Sequence, residues 1–302
     1  MNKLVVGSAL FGQNYGVLEK KKRVSESALI EILDFCQSKD IRCFDTAPSY
    51  GDAQSRIASY MLENCTEADN CTRIITKTPI LDNNSSPARI YKIFRNSVES
   101  FKSSLGKDVS LELLCHQADA LIGVNRKNIY SALDRLREEK VVDRIGISVY
   151  SVDQISGFEK NWFLDSIQVP MNILDRRFSE ALEVYQLRKS GTEIYARSIF
   201  LQGILLQAVA GLPDYFLVEQ RYRVLKKLEL FIQKNEVCKL FACLNYIMNV
   251  DCVDKVIIGI QSKAELESIF KIIESNGFRD RMMFEGQNSN QMDLIDPRSW
   301  DY

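Results

Sequence analysis

The chain has 302 residues, 46% hydrophobic and 26% charged, which is ordinary globular composition. With 39 basic residues against 40 acidic ones the formal charge is -1, too little basic surplus for a general nucleic-acid binder. No apolar run reaches the ~18 residues of a membrane span, and a single histidine, His116, excludes a histidine-based zinc cluster.

Strand-like runs rich in β-branched and aromatic residues alternate with helical patterns along the whole chain. The first is LVVGSALF (4–11), which lacks the charged region and cleavage site of a signal peptide and reads as a strand. The basic run Lys20-Lys21-Lys22-Arg23 reads as a solvated turn ahead of a helix at 25–38. That helix sets Ala28, Leu29, Ile32, Leu33, Phe35 and Cys36 on one stripe, with Ser25 as its cap. IRCFDT (41–46), a helix at 53–64 and RIITKT (73–78) come next. The segment DNNSSPA then reads as a surface loop before a helix at 88–104. LELLCH (111–116), a helix at 126–139, RIGISVY (144–150) and a helix at 152–158 continue the alternation. SIQVPMN (166–172), a helix at 179–189 and EIYARSI (193–199) lead to a loop at 202–217, read as a cover for a site. The segment 217–248 is helical with a break expected near Asn235, followed by KVIIGI (255–260) and a helix at 263–275. Residues 276–302 read as a tail near one end of the domain, in which Trp300 either folds over that end or is mobile.

Eight strands, each followed by helix, predict an α/β fold: a single-domain (β/α)8 TIM barrel. Their near-continuous apolar character suits strands buried on both faces. A doubly wound sheet is the competitor, but "GSALFGQNYG" after the first strand lacks its GxGxxG spacing. None of the eight cysteines forms a CxxC pair, and Cys43 and Cys115 sit in apolar runs, so reduced, buried thiols and a cytoplasmic location are expected.

Barrels present their chemistry at the C-terminal ends of the strands. Those ends hold Asp45, with Tyr50 just beyond, Lys77 and His116. Each residue has a structural reading of its own: a turn former, a half-buried aromatic, an outward-reaching lysine, a lone structural histidine. Their placement at three successive strand ends favours a shared site. A phenol beside a lysine cation has a lowered pKa, a carboxylate keeps the lysine charged, and an imidazole can donate to a carbonyl oxygen. Such a group can protonate a developing alkoxide, and the hydride must come from a nicotinamide cofactor.

The segments "FDTAPSYGDA", "ITKT", "LLCHQAD", "IGISVYS", "IQVPMNILDRR", "YARSIFLQGILL" and "VIIGIQSKAEL" resemble the aldo-keto reductases nearly end to end. "RSIFLQG" matches a bacterial branch of that family. The resemblance implies the catalytic set Asp45, Tyr50, Lys77 and His116, a small-molecule carbonyl substrate (aldehyde, ketone or keto-sugar) and NADPH, with NADH possible. It further implies cofactor contacts from Ser148, Gln168, Arg197, Ser198, Leu201, Gly259, Gln261 and Lys263. Arg197 stands where the family often stacks a tyrosine under the nicotinamide, and Val149 where it has an asparagine. Two rivals stand beside this reading. One is a barrel that binds nicotinamide as a sensor or accessory subunit. The other is an aldolase with Lys77 as Schiff base, which an adjacent Asp45 disfavours by raising the lysine pKa.

Overall fold

In the computed structural model, residues 3–18, 22–64, 72–81, 86–105, 109–158, 162–275 and 282–300 are described. Eight parallel strands close into one barrel in sequence order: β1 Leu4–Gly7, β2 Cys43–Asp45, β3 Thr72–Lys77, β4 Val109–Cys115, β5 Arg144–Ser148, β6 Ser166–Pro170, β7 Glu193–Arg197 and β8 Lys255–Gly259. Closure comes from the ladder of β1 with β8, which pairs Gly7 with Gly259. The predicted (β/α)8 barrel is therefore the fold. The helices are α1 Ala9–Gly12, α2 Glu26–Ser38, α3 Ala53–Asn64, α4 Pro87–Lys102, α5 Arg126–Glu138 and α6 Val152–Ser156. They continue with α7 Leu182–Lys189, α8 Asp214–Leu217, α9 Glu219–Lys234, α10 Lys239–Met248, α11 Lys263–Glu274 and α12 Met292–Ile295.

Local chemistry explains where elements start. The Ser25 hydroxyl accepts from the Ala28 amide, and Ser86 and Ser262 cap α4 and α11 in the same way. In α2 the apolar stripe buries Leu29, Ile32, Leu33 and Cys36 against the barrel wall. The first strand is shorter than the apolar run 4–11 predicts. At Ser8 the chain turns into α1, whose Leu10 and Phe11 are buried where the strand would have continued. The buried Arg56 guanidinium of α3 accepts nothing and donates to the carbonyls of Phe11 and Val24, fixing that turn. The helical segment 217–248 breaks as expected at Asn235, with Glu236 at φ +54 and Cys238 capping α10. The segment 202–217 is not an open loop. Its 3-10 turns at Leu201–Leu206 and Val209–Gly211, with α8, bury Ile204, Leu205, Val209 and Phe216 in a second apolar cluster. Trp300 belongs to that cluster, edge-on to Phe216 at 4.9 Å, so this residue is packed in place; residues 276–281 and 301–302 of the expected tail lie outside the described residues.

Inside the barrel the period-2 alternation of strands builds layers. Val5, Cys43, Ile75, Leu114, Tyr195 and Ile257 form the middle layer. The N-terminal end is closed by a polar plug. Glu112, 0% exposed, accepts from Tyr195 Oη at 3.0 Å and from Ser166 and faces Arg144 Nε at 3.3 Å. Arg73 and Arg144 both reach Glu193, giving two cations and two carboxylates. The C-terminal layer, one step beyond the apolar one, is polar.

Candidate active site

The same alternation that turns Cys43 and Ile75 into the lumen turns Asp45 and Lys77 inward two residues later, at the barrel mouth. Lys77 Nζ donates to Asp45 Oδ1 at 2.8 Å, Asp45 Oδ2 at 3.0 Å and the Thr46 carbonyl at 3.0 Å, all buried. Gln168 Nε2 from β6 donates to Asp45 Oδ1 at 2.8 Å, so the amide expected to meet a cofactor also steadies this carboxylate. His116 follows β4 by one residue, its amide held by Thr78 Oγ1 at 3.1 Å.

Tyr50 sits on the β2–α3 turn. That turn passes so close to the end of α1 that a Cβ on Gly12 would lie 1.8 Å from the Tyr50 carbonyl oxygen. Gly51, at φ +57, has the matching contact, a Cβ there lying 2.3 Å from the Gly12 oxygen. Two glycines thus let two backbones touch and place the phenol over the mouth. Lys77 Nζ lies 4.8 Å from the centre of the Tyr50 ring.

Asp45, Tyr50, Lys77, His116, Ser148, Gln168, Arg197, Ser198 and Gly259 line one cleft open to solvent, a concave wall of mixed polar and apolar groups of the kind that holds small molecules. Gln261 and Lys263 lie past β8, outside that cleft lining. Gln261 N donates to Glu265 Oε2 at 2.8 Å, and Lys263 Nζ is 3.6 Å from Glu267. The Leu201 side chain is fully buried in the second apolar cluster and does not line the cleft.

The electrostatics differ from the sequence expectation at one point. Burial raises the Tyr50 pKa, and the Lys77 charge offsets only part of that rise, so the phenol is held above its ordinary value rather than below it. For Lys77, burial favours the neutral amine, but Asp45 and Tyr50 outweigh it and the pKa rises. Burial and then the Lys77 charge push His116 down to about 4, leaving a neutral imidazole at neutral pH. The cleft therefore presents a protonated phenol, an ammonium fixed by a carboxylate and a neutral imidazole. This set can donate a proton to an oxygen held between Tyr50 and His116.

The walls also hold Phe200, with Gln202 and Gly203 from the start of the segment read as a cover. Tyr15 and Tyr150, which the sequence reading did not single out, line the cleft as well. The loop after β7 carries positive φ at Ser198 (+59), Leu201 (+46), Gln202 (+53) and Gly203 (+95). Left-handed backbone at three non-glycine residues costs on the order of 1 kcal/mol each, and such strain gathers at ligand sites. The buried Gln202 Oε1 has no partner among the described residues. A Cβ built on Gly259 meets nothing within 4 Å. These features suit a bulky, hydrogen-bonding ligand such as a nicotinamide dinucleotide. Tyr150 is clasped between two guanidinium groups, Arg197 at 4.1 Å and Arg298 at 3.8 Å from its ring centre. A parity step from Ser148 points to Tyr150, but nothing local points to Arg298. Among the described residues no cluster of metal-binding side chains occurs, and no helix is long and apolar enough to cross a membrane.

The family model described as Aldo/keto reductase family matches residues 3–284. No curated protein matches the sequence. Two solved structures from Pseudomonas aeruginosa, each described as a putative aldo-keto reductase, share the fold. One is 18% identical with a TM-score of 0.63, over 89% of this chain and 88% of its own. The other is 17% identical, also at 0.63, over 90% and 89%.

Proposed function

The chain belongs to the aldo/keto reductase family, and on that premise we propose that it reduces a small-molecule carbonyl to an alcohol with a nicotinamide cofactor. The observation that carries this reading is the buried Asp45–Lys77 pair beside Tyr50 and a neutral His116 in one cleft. Tyr50 is the general acid. Its raised pKa keeps the proton in place until a carbonyl oxygen gains charge, and the adjacent Lys77 cation then stabilises the phenolate left behind. Asp45 and the Thr46 carbonyl aim that cation. His116 donates a hydrogen bond to the carbonyl oxygen and orients it. Lys77 is engaged by three acceptors and kept protonated, which argues against it as an amine nucleophile.

A bound nicotinamide would supply the hydride. Ser148 and Gln168 would hold its amide end, and Arg197, Ser198 and the strained turn after β7 its flank. Gly259 would leave room for it, and Gln261 and Lys263, past the end of β8, would hold its far ribose. NADPH is the expected cofactor, with NADH accepted, because one exposed lysine paired with Glu267 offers a modest phosphate site. The test is reduction of a panel of aldehydes, ketones and keto-sugars by the wild type and Tyr50→Phe. Wild-type turnover lost in the variant supports the proposal. Cofactor binding without turnover on any carbonyl points instead to a sensor or accessory barrel.

A further inference from the structure

The charges of the cleft do not cancel. Lys77 is neutralised by Asp45 at 2.8 Å, and Arg298 by Asp296 at the outer face of Tyr150. Arg197, on the inner face, donates only to neutral acceptors, the Val149 carbonyl at 3.0 Å and Ser198 Oγ at 3.3 Å. No carboxylate among the described residues pairs with it. One cation therefore stands uncompensated in the wall of a cleft whose other members surround the proposed reacting carbonyl. A hydride donor serving a carbonyl between Tyr50 and His116 would have to enter this cleft, and Arg197 would then be one of the charged groups facing its ring.

We propose that Arg197 makes the site bind the reduced form of the cofactor more tightly than the oxidised form. The inference rests on the nicotinamide reading above. Reduction transfers hydride from the ring to the carbonyl carbon and the Tyr50 proton to its oxygen, and the ring gains one positive charge. The phenolate regains its proton from water. A fixed cation nearby leaves the neutral reduced ring unaffected and repels the charged oxidised ring. Two like charges about 5 to 6 Å apart in a partly solvated medium repel by about tenfold or more in affinity, and that is the size of effect expected here. It also speeds release of the oxidised cofactor. A pyrophosphate contact would behave otherwise, because both cofactor forms carry the same phosphates.

The experiment is calorimetric titration of the wild type, Arg197→Gln, Arg197→Met and Arg197→Lys with NADPH, NADP+, NADH and NAD+. Near-ultraviolet circular dichroism checks the fold of each, and two neutral variants guard against one failing to fold. The expected result is an oxidised-to-reduced Kd ratio well above one in the wild type, reduced about tenfold in the neutral variants and largely kept by lysine. An equal weakening of both forms, or an unchanged ratio, overturns the proposal and leaves the nicotinamide reading intact. Failure of the wild type to bind any of the four overturns both.

Discussion

Lys77 and Asp45 form a two-point ion pair, Nζ to both carboxylate oxygens at 2.8 and 3.0 Å, sealed at the centre of the barrel mouth. Removing one partner of a buried pair strands the other charge, at a cost of about 3–5 kcal/mol. Asp45→Asn and Lys77→Met are each expected to lower stability by that order in urea unfolding. The double variant should lose clearly less than the sum, because neither charge is left alone. Additive losses would show that the pair does not act as a unit.

The pH profile of carbonyl reduction follows from the two shifted groups. Tyr50 acts protonated and its pKa is raised, so activity is lost only as pH climbs past the ordinary tyrosine value of about 10. His116 acts neutral and titrates at about 4. The expected kcat/KM is flat from about pH 5 to 9. An inflection near the ordinary histidine value would contradict the low His116 pKa. Tyr50→Phe should cost about 10²–10⁴ in kcat across the plateau, with the Kd for reduced cofactor little changed.

His116 also links pH to stability. Its folded pKa, about 4, lies below the unfolded value of 6.5. Between these values the unfolded chain binds more protons, so stability is full above pH 6.5 and declines as pH falls toward 4. Denaturation midpoints measured across that window should fall less steeply for His116→Asn than for the wild type.

Two glycines on the strands predict opposite outcomes. A Cβ on Gly259 meets nothing within 4 Å, so Gly259→Leu should fold with a stability change of roughly 1 kcal/mol or less and raise the cofactor Kd by filling the cleft. A Cβ on Gly146 would lie 2.3 Å from both Leu114 Cδ2 and Ser166 Oγ. Gly146→Ala should therefore cost about 1–3 kcal/mol through overpacking. Thermal melts and calorimetric binding separate the two cases.

At the closed end of the barrel, Tyr195→Phe withdraws the hydroxyl that Glu112 accepts at 3.0 Å. The expected loss is about 1–3 kcal/mol, because a fully buried carboxylate loses a donor. Carbonyl reduction should be unchanged per folded molecule, since the plug lies at the opposite end from the cleft. A fall in kcat without a fall in stability would contradict this separation.

The order of strands and helices was legible in the sequence, as were the strand ends that carry Asp45, Lys77 and His116, because both follow from local periodicity. Side chains alternate with period 2, so an apolar residue facing the lumen fixes where the polar residue two positions later must point. The caps at Ser25 and Ser262 are equally local. Other features depended on what the chain meets after folding. The apolar run 4–11 ends as a strand at Gly7 because α1 finds a buried seat beside α3. The Tyr50 pKa rises rather than falls because desolvation exceeds the pull of Lys77, a balance set by the walls of the cleft. The clasp of Arg197, Tyr150 and Arg298 joins residues from β7, the end of β5 and the C-terminal segment. No local pattern encodes such meetings. They arise when closure of the barrel brings distant strand ends to one mouth, and burial there decides the charge each group can carry.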